Sequence, residues 1–361
     1  MLGRSTKPMT EIIDKIRYRL HRKIADGGMG SVYEAILYGS DNFQKVVTIK
    51  TILERFSSDR DFVDMFIGEA KLVADLVHQN IVQMYQLGKL DSSKMYYIAM
   101  EYIEGVNLQE FMNRHFELNL KVPVDIAAFI ISRVCRALEY AHRKTDKSGN
   151  LLGVVHRDVS PKNVMISTEG VVKLTDFGIA KAANLMRNQE GDVLMGKAQY
   201  MSPEQAQYMQ TDKRSDIFSL GIVAYELLTG QSLFGSDKTA VILENVVYKD
   251  FAKPRTVNTD IPEEVERILT KALERDVNKR HQDAGRMGYE LEYYMYHDRF
   301  GPTNQTLGAY LKERFLGATA ESLRSRPAEE METWVKRSEG VAASVPSPTR
   351  PRRDPGLSKP D

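Results

Sequence analysis

The chain has 361 residues, with 50 Lys and Arg against 49 Asp and Glu (formal net charge +1) and a hydrophobic share of 42%. That balance argues against a protein working chiefly by attraction to nucleic acid or an anionic membrane, and the apolar share excludes global disorder. The single Cys135 excludes an internal disulfide and a multi-cysteine metal site, and no uncharged apolar run reaches the ~18 residues a membrane-spanning helix needs.

Residues 1–17 read as a basic arm: seven basic and two acidic side chains fall in 1–23, so this end carries +5 and the remainder −4. No apolar signal-like core opens the chain, so a cytoplasmic location is expected. Strand-like runs follow at 18–24, 31–37 and 45–53, the last two parted by Gly39-Ser40-Asp41-Asn42. Residues 59–77 switch to helical period, with Met65, Leu72, Val73 and Leu76 on one face. Two more strands are expected at 81–87 and 95–102. After Gly105 the pattern turns helical: an amphipathic helix over 125–142 behind Pro123, a short β-rich stretch around 154–174, then helices near 213–229, 262–274, 283–299 and 303–317. Five prolines in the last 24 residues predict a disordered tail over 338–361.

Three groups of residues carry chemistry. The run from Ile24 to Val32 places Gly27, Gly28 and Gly30 between two strands, where backbone N–H groups can approach phosphates, although a glycine-rich hairpin alone is often only a hairpin. Lys50 lies in an alternating apolar strand, where taken alone it reads as an outward-facing solvated lysine, but Glu69 falls on the apolar face of the next helix. A carboxylate there needs a cation, because an unpaired buried charge is costly, and Lys50 is the nearest in chain order. Finally, His156-Arg-Asp158-Val-Ser-Pro-Lys-Asn163 precedes Thr175-Asp176-Phe-Gly178. Phosphoryl transfer needs a carboxylate beside the attacking hydroxyl and oxygen ligands for Mg²⁺, and Asp158, Asn163 and Asp176 can supply them.

From about Tyr18 to Phe300 the sequence resembles the protein kinase superfamily, specifically the bacterial eukaryotic-like Ser/Thr kinases. Ser202-Pro-Glu204, Asp216 with Gly221, and Arg280 add to the match. The resemblance implies an α+β bilobal fold: an N-lobe of five antiparallel strands and one helix over 18–103, and a mainly helical C-lobe over 104–300, followed by a helical extension over 301–337. It implies ATP and Mg²⁺ as cofactors and protein Ser/Thr hydroxyls as substrates, the chain itself included. Ile24, Ala25, Gly27, Gly28 and Gly30 would form the loop over the phosphates. Lys50 would contact the α/β-phosphates with Glu69 holding it, and Asp158 would orient the substrate hydroxyl and take its proton. Asn163 and Asp176 would ligate the metal. Val32 and Thr48 would roof the adenine and Met165 would floor it. Glu101 and Ile103 of the hinge would bond it through their main chain, behind Met100. Asp216 would tie down the catalytic loop, and Arg280 would pair with Glu204.

Four departures stand out. Ala25 replaces the usual first glycine of the loop, and Thr48 the usual alanine of the roof. Ser160 occupies the place of the catalytic-loop lysine, while Lys197 follows Gly196 where threonine is usual. Either Lys197 has taken over the cation's role in a reciprocal swap, or Lys162 does that work. Lastly, Ile179 to Met195 holds no Ser, Thr or Tyr, so phosphorylation there cannot switch the loop on. Glu190 or Asp192 could stand in for a phosphate opposite Arg157, or the loop could simply be acidic and solvated. His78 and Cys135 read as structural. The alternatives to an active Ser/Thr kinase are an ATP-binding pseudokinase scaffold and a kinase with relaxed specificity including Tyr. The C-terminal extension leaves room for a homodimer or a regulatory partner, with no role for nucleic acid or a membrane segment.

Overall fold

The computed structural model describes residues 17–27, 30–52, 60–89, 96–177 and 198–315. The first strands, β1 (Arg17–Gly27), β2 (Gly30–Tyr38) and β3 (Gln44–Thr51), run antiparallel in succession. The β2–β3 turn works because Asp41 and Asn42 take left-handed backbone, φ 51° and 61°, which short polar side chains tolerate. Helix α1 (Arg60–Ala74) crosses over to β4 (Met84–Lys89) and β5 (Tyr96–Glu101), giving one antiparallel sheet in the order β1-β2-β3-β5-β4. Phe66 and Ala70 of α1 pack on Ile52 and Ile98, while Ala35, Val47, Ile49 and Ala99 form a separate cluster. Ile98 and Ala99, consecutive on β5, point to opposite faces of the sheet and so fall in different clusters.

The expected strand over 81–87 begins later, at Met84. Ile81 and Val82 leave the sheet for the other lobe: Ile81 forms an isolated bridge with Leu174, and Val82 N–H donates to the Leu174 carbonyl at 3.0 Å. Burying those two β-branched residues against the helical lobe overrides their strand pattern.

Beyond the hinge come β6 (Gly105–Asn107), α2 (Leu108–Glu117) and α3 (Val124–His142). Asn107 and Glu110 form a reciprocal cap at the start of α2. One turn of 3-10 helix (Pro161–Asn163) leads into β7 (Val164–Ser167) and β8 (Val172–Leu174), which complete a small antiparallel sheet in the order β6-β7-β8. The helices α4 (Pro203–Ala206), α5 (Lys213–Thr229), α6 (Thr239–Tyr248), α7 (Pro254–Val257), α8 (Glu263–Ala272), α9 (Ala284–Tyr296) and α10 (Asn304–Phe315) follow.

Helix α5 is buried continuously from Ser215 to Leu228. It shows no amphipathic stripe because it is wrapped on all sides, which fits an apolar helix at the centre of a lobe. Phe218, Ile222 and Val223 join α3 and α8 in a single core, each fully buried aliphatic or aromatic side chain contributing about 1.5–3 kcal/mol. Cys135 lies within that core, and burial pushes its thiol pKa far up, so it is inert as a nucleophile.

Candidate active site

The lower wall of the cleft is built by Asp216, one turn into α5 and 1% exposed. Its carboxylate accepts the backbone N–H of His156 at 2.8 Å, that of Arg157 at 2.7 Å, and His142 Nε2 at 2.8 Å. Burial by itself would raise the Asp216 pKa. The hydrogen bond and charge of His142, with the contribution of His156, outweigh it and hold the carboxyl below its ordinary value. Arg157 adopts left-handed backbone, φ 63°, a conformation that costs a non-glycine residue about 1–2 kcal/mol and that the two bonds to Asp216 sustain.

His156 stitches the wall together. Its Nδ1 accepts the Asp158 N–H at 3.2 Å, so Nε2 carries the proton and donates to the Thr175 carbonyl at 2.8 Å. The ring meets the edge of Phe177 at 4.6 Å between centroids. Asn163 Nδ2 donates to the Asp158 carbonyl at 2.7 Å, and the Thr175 N–H donates to the Asn163 carbonyl at 2.9 Å. The segments carrying Asp158, Asn163 and Asp176 are thus tied together, Asn163 to Asp158 through its side chain and Thr175, next to Asp176, to the Asn163 carbonyl. With Nδ2 committed, Asn163 has its side-chain oxygen left as a ligand. An amide oxygen and the Asp176 carboxylate are hard donors of the kind that suits Mg²⁺.

The upper wall brings Lys50 across. Its Nζ donates to Asp176 Oδ1 at 2.7 Å, both side chains being partly buried. Lys50 sits opposite Val32 on β2, and Thr48 opposite Met100 on β5. The expected partner Glu69 lies on α1, and its side chain falls outside the described residues; the described partner of Lys50 is Asp176. Sequence reasoning assigned Lys50 to phosphates and Asp176 to metal without pairing them, although two groups aimed at one triphosphate had to converge. Gly30 is needed for packing as well as for any phosphate, because a side chain there would run into the Thr51 carbonyl. Ala25 pairs with Val32 on β2 just after a shift in the β1–β2 register between Lys23 and Ala25. Gly28 lies outside the described residues.

At the hinge, the Glu101 carboxylate accepts Lys173 Nζ at 2.9 Å and the Gln83 N–H at 3.2 Å. Lys173 is on β8, directly opposite Met165 on β7, so hinge and floor are joined by an ion pair that sequence reasoning missed. Its only signal was a lysine in the floor strand two residues before Thr175. Ile103 follows Glu101 in the hinge, partly buried. Behind Met100, a narrow cavity of about 40 Å³ lies between Phe66 and Ala70 of α1 and Asp176 and Phe177.

The segment after residue 197 is anchored from below. Ser202 and Gln205 cap α4 reciprocally, and Gln205 Nε2 donates to the Arg157 carbonyl at 3.0 Å. Arg280 grips Glu204 with two bonds, 2.9 and 3.2 Å, wholly buried, while Ser215 Oγ donates to the same carboxylate at 2.7 Å. Burial works to raise the Glu204 pKa, and the bonds from Arg280 and Ser215 bring the net result below the ordinary value. Lys162 is exposed, whereas Lys197, Glu190 and Asp192 lie outside the described residues, as does the choice between the two lysines. His78 is structural, accepting the Asn80 N–H at 3.1 Å and stacking on Tyr140.

A lysine held by a DFG-type aspartate, above a loop tied to a buried helix aspartate, is the arrangement of a protein kinase fold. The model of the protein kinase domain matches residues 18–286, and the chain belongs to that family. It is 38% identical over 298 residues to the tyrosine-protein kinase MasK of Myxococcus xanthus, covering 82% of this chain and 46% of that protein. It is 33% identical over 293 residues to the serine/threonine-protein kinase PrkC of Bacillus subtilis, covering 81% of this chain and 42% of that one. The serine/threonine-protein kinase PknA of Mycobacterium tuberculosis is 33% identical over 272 residues, 74% of this chain and 59% of that protein. The chain thus spans about half the length of these curated relatives. The crystal structure of the Mycobacterium tuberculosis PknI kinase domain superposes with a TM-score of 0.57 at 24% identity, over 76% of this chain and 94% of that one, a likeness of fold.

Proposed function

We propose that the protein transfers the γ-phosphate of ATP to Ser and Thr hydroxyls of proteins, itself included. The observation that carries this reading is the convergence of Asp158, Asn163 and Asp176 on one wall with Lys50 reaching Asp176 from the other. Val32 and Thr48 cover the adenine and Met165 underlies it, while the main chain of Glu101 and Ile103 bonds its edge. Lys50 steadies the α/β-phosphates, with Glu69 behind it. Gly27, Gly28 and Gly30 let the loop close over them, flanked by Ile24 and Ala25. Asn163 and Asp176 hold Mg²⁺, which when bound neutralises charge on the phosphates. Asp158 orients the incoming hydroxyl and accepts its proton as oxygen bonds to the γ-phosphorus and ADP departs. Lys197 or Lys162 supplies the cation that Ser160 lacks.

Because Ile179 to Met195 holds no hydroxyl side chain, the kinase is constitutively active in this reading, with Glu190 or Asp192 facing Arg157. The chain divides into an arm (1–17), two lobes (18–103 and 104–300), an extension (301–337) and a tail (338–361). A homodimer or regulatory partner acts through the extension. Among the described residues no helix is long and apolar enough to cross a membrane, and we place the protein in the cytoplasm.

The test is incubation of the purified chain with labelled ATP and Mg²⁺. Label on protein is expected, with Asp158→Asn lowering the rate by about 10²–10⁴-fold. Nucleotide binding without transfer would instead make the protein a scaffold. The likeness to a Myxococcus tyrosine kinase and the exposed Lys162 favour a second reading in which Tyr is also accepted. Phosphoamino-acid analysis separates the two.

A further inference from the structure

Helix α10 lies past the kinase-domain match, yet it is built into the lobe. Leu307 and Leu311 are buried, and the contact with the β7–β8 turn is backbone on backbone. A β-carbon at Gly308 would stand 2.8 Å from the Glu169 carbonyl carbon. Across the contact, Gly170 has φ +78°, and a side chain on it would strike the Asn304 carbonyl. Only glycine at both positions allows this approach. Further along, Tyr310 OH lies 2.7 Å from His115 Nε2, and His115 Nδ1 lies 2.8 Å from the Phe111 carbonyl. A carbonyl can only accept, so Nδ1 carries the proton and Nε2 accepts from Tyr310. Phe315 stacks on Phe111 at 5.3 Å and 11°.

The two parts that α10 grips are the two flanks of the cleft floor. The β7–β8 turn joins the strands bearing Met165 and Lys173. Helix α2, which carries His115 and Phe111, is entered directly from β6, whose Asn107 pairs with Met165. The Thr168 N–H donates to the Glu104 carbonyl at 2.8 Å, closing the ring between turn and hinge.

We propose that α10 is a positioning element for nucleotide binding. By holding α2 through Tyr310–His115 and the β7–β8 turn through Gly308–Gly170, it sets the distance between hinge and floor strand, and hence the affinity of the cleft. This rests on the reading of that cleft as the ATP site.

The test uses Gly308→Val and Tyr310→Phe in the full chain, with Leu291→Ala, buried on α9, as a comparison variant that loosens the lobe elsewhere. ADP with Mg²⁺ is titrated by calorimetry, and hydrogen exchange is followed at residues 104–107 and 167–171 without nucleotide. Both α10 variants are expected to raise the Kd for ADP about three- to tenfold and to speed exchange in both segments. Leu291→Ala is expected to lower the melting temperature while leaving Kd within about twofold. Should Gly308→Val fail to fold, Tyr310→Phe keeps the ring and carries the test. The proposal is overturned if the α10 variants bind ADP like the parent with unchanged exchange, or if Leu291→Ala weakens ADP equally. A parent chain that binds no ADP overturns the reading of the cleft and the proposal together.

Discussion

Among the described residues, the upper wall of the cleft stands on two clusters of four buried side chains, on either face of a five-stranded sheet. Its functional lysine is tied to Asp176 by a bond that water can reach, the two side chains being 16% and 28% exposed. The lower wall hangs from charges sunk in one continuous core: Asp216 with its three donors, and Glu204 clasped by Arg280. Partly exposed ion pairs contribute little to stability and exchange partners at little cost. A buried charge that loses its partner is destabilising by several kcal/mol. The lower wall is therefore preorganised, while the upper wall can adjust, as the phosphate-binding role proposed for Lys50 requires.

Removing the carboxylate in Asp216→Ala should be the most severe change. It leaves two backbone N–H groups and His142 without an acceptor, and about 3–5 kcal/mol of stability should go with it. Transfer should fall about 10²-fold or more as the catalytic loop loses its register. Thermal unfolding and the labelled-ATP assay measure both.

Next is Arg280→Met, which strands Glu204 and should cost about 3–5 kcal/mol, with less effect on chemistry. Adding Glu204→Leu should restore much of the melting temperature, since an apolar replacement of a whole buried pair is often near neutral.

Lys50→Met is expected to change stability by about 1 kcal/mol or less while strongly reducing transfer. If it destabilised the protein as much as Asp216→Ala, the contrast between the two walls would collapse.

The smallest effect concerns pH. Burial lowers the His115 pKa below its ordinary 6.5, so the unfolded chain takes up the proton more readily. Its contribution is whole above about pH 6.5 and is lost as pH falls. Melting temperatures recorded from about pH 7 to about pH 5.5 should decline, and His115→Leu should flatten part of that slope. His78 and His281, also shifted down by burial, should retain the rest.

Elements with a strong local pattern were legible in the sequence. The helix expected over 213–229 is found at Lys213–Thr229, and that over 303–317 at Asn304–Phe315. Helix α6 was not assigned, because Thr239-Ala-Val-Ile-Leu-Glu-Asn-Val-Val-Tyr248 is rich in β-branched residues and reads as readily as strand. Ile81 and Val82 were misplaced for the opposite reason: a good strand pattern was overruled by packing across the cleft.

Asp158, Asn163 and Asp176 stood out in the sequence because they lie in short motifs whose spacing is set by local backbone. Which groups meet across the fold was a different matter. Lys50 finds Asp176 at a separation of 126 residues, Glu101 finds Lys173 at 72, and His115 finds Tyr310 at 195. Those encounters depend on how α3, α5 and α10 pack, and packing is decided by the sum of many weak apolar contacts rather than by any motif. The sequence by itself determined the family and most of the elements. Only the tertiary structure decided the partners, because long-range pairing is a property of the assembled core.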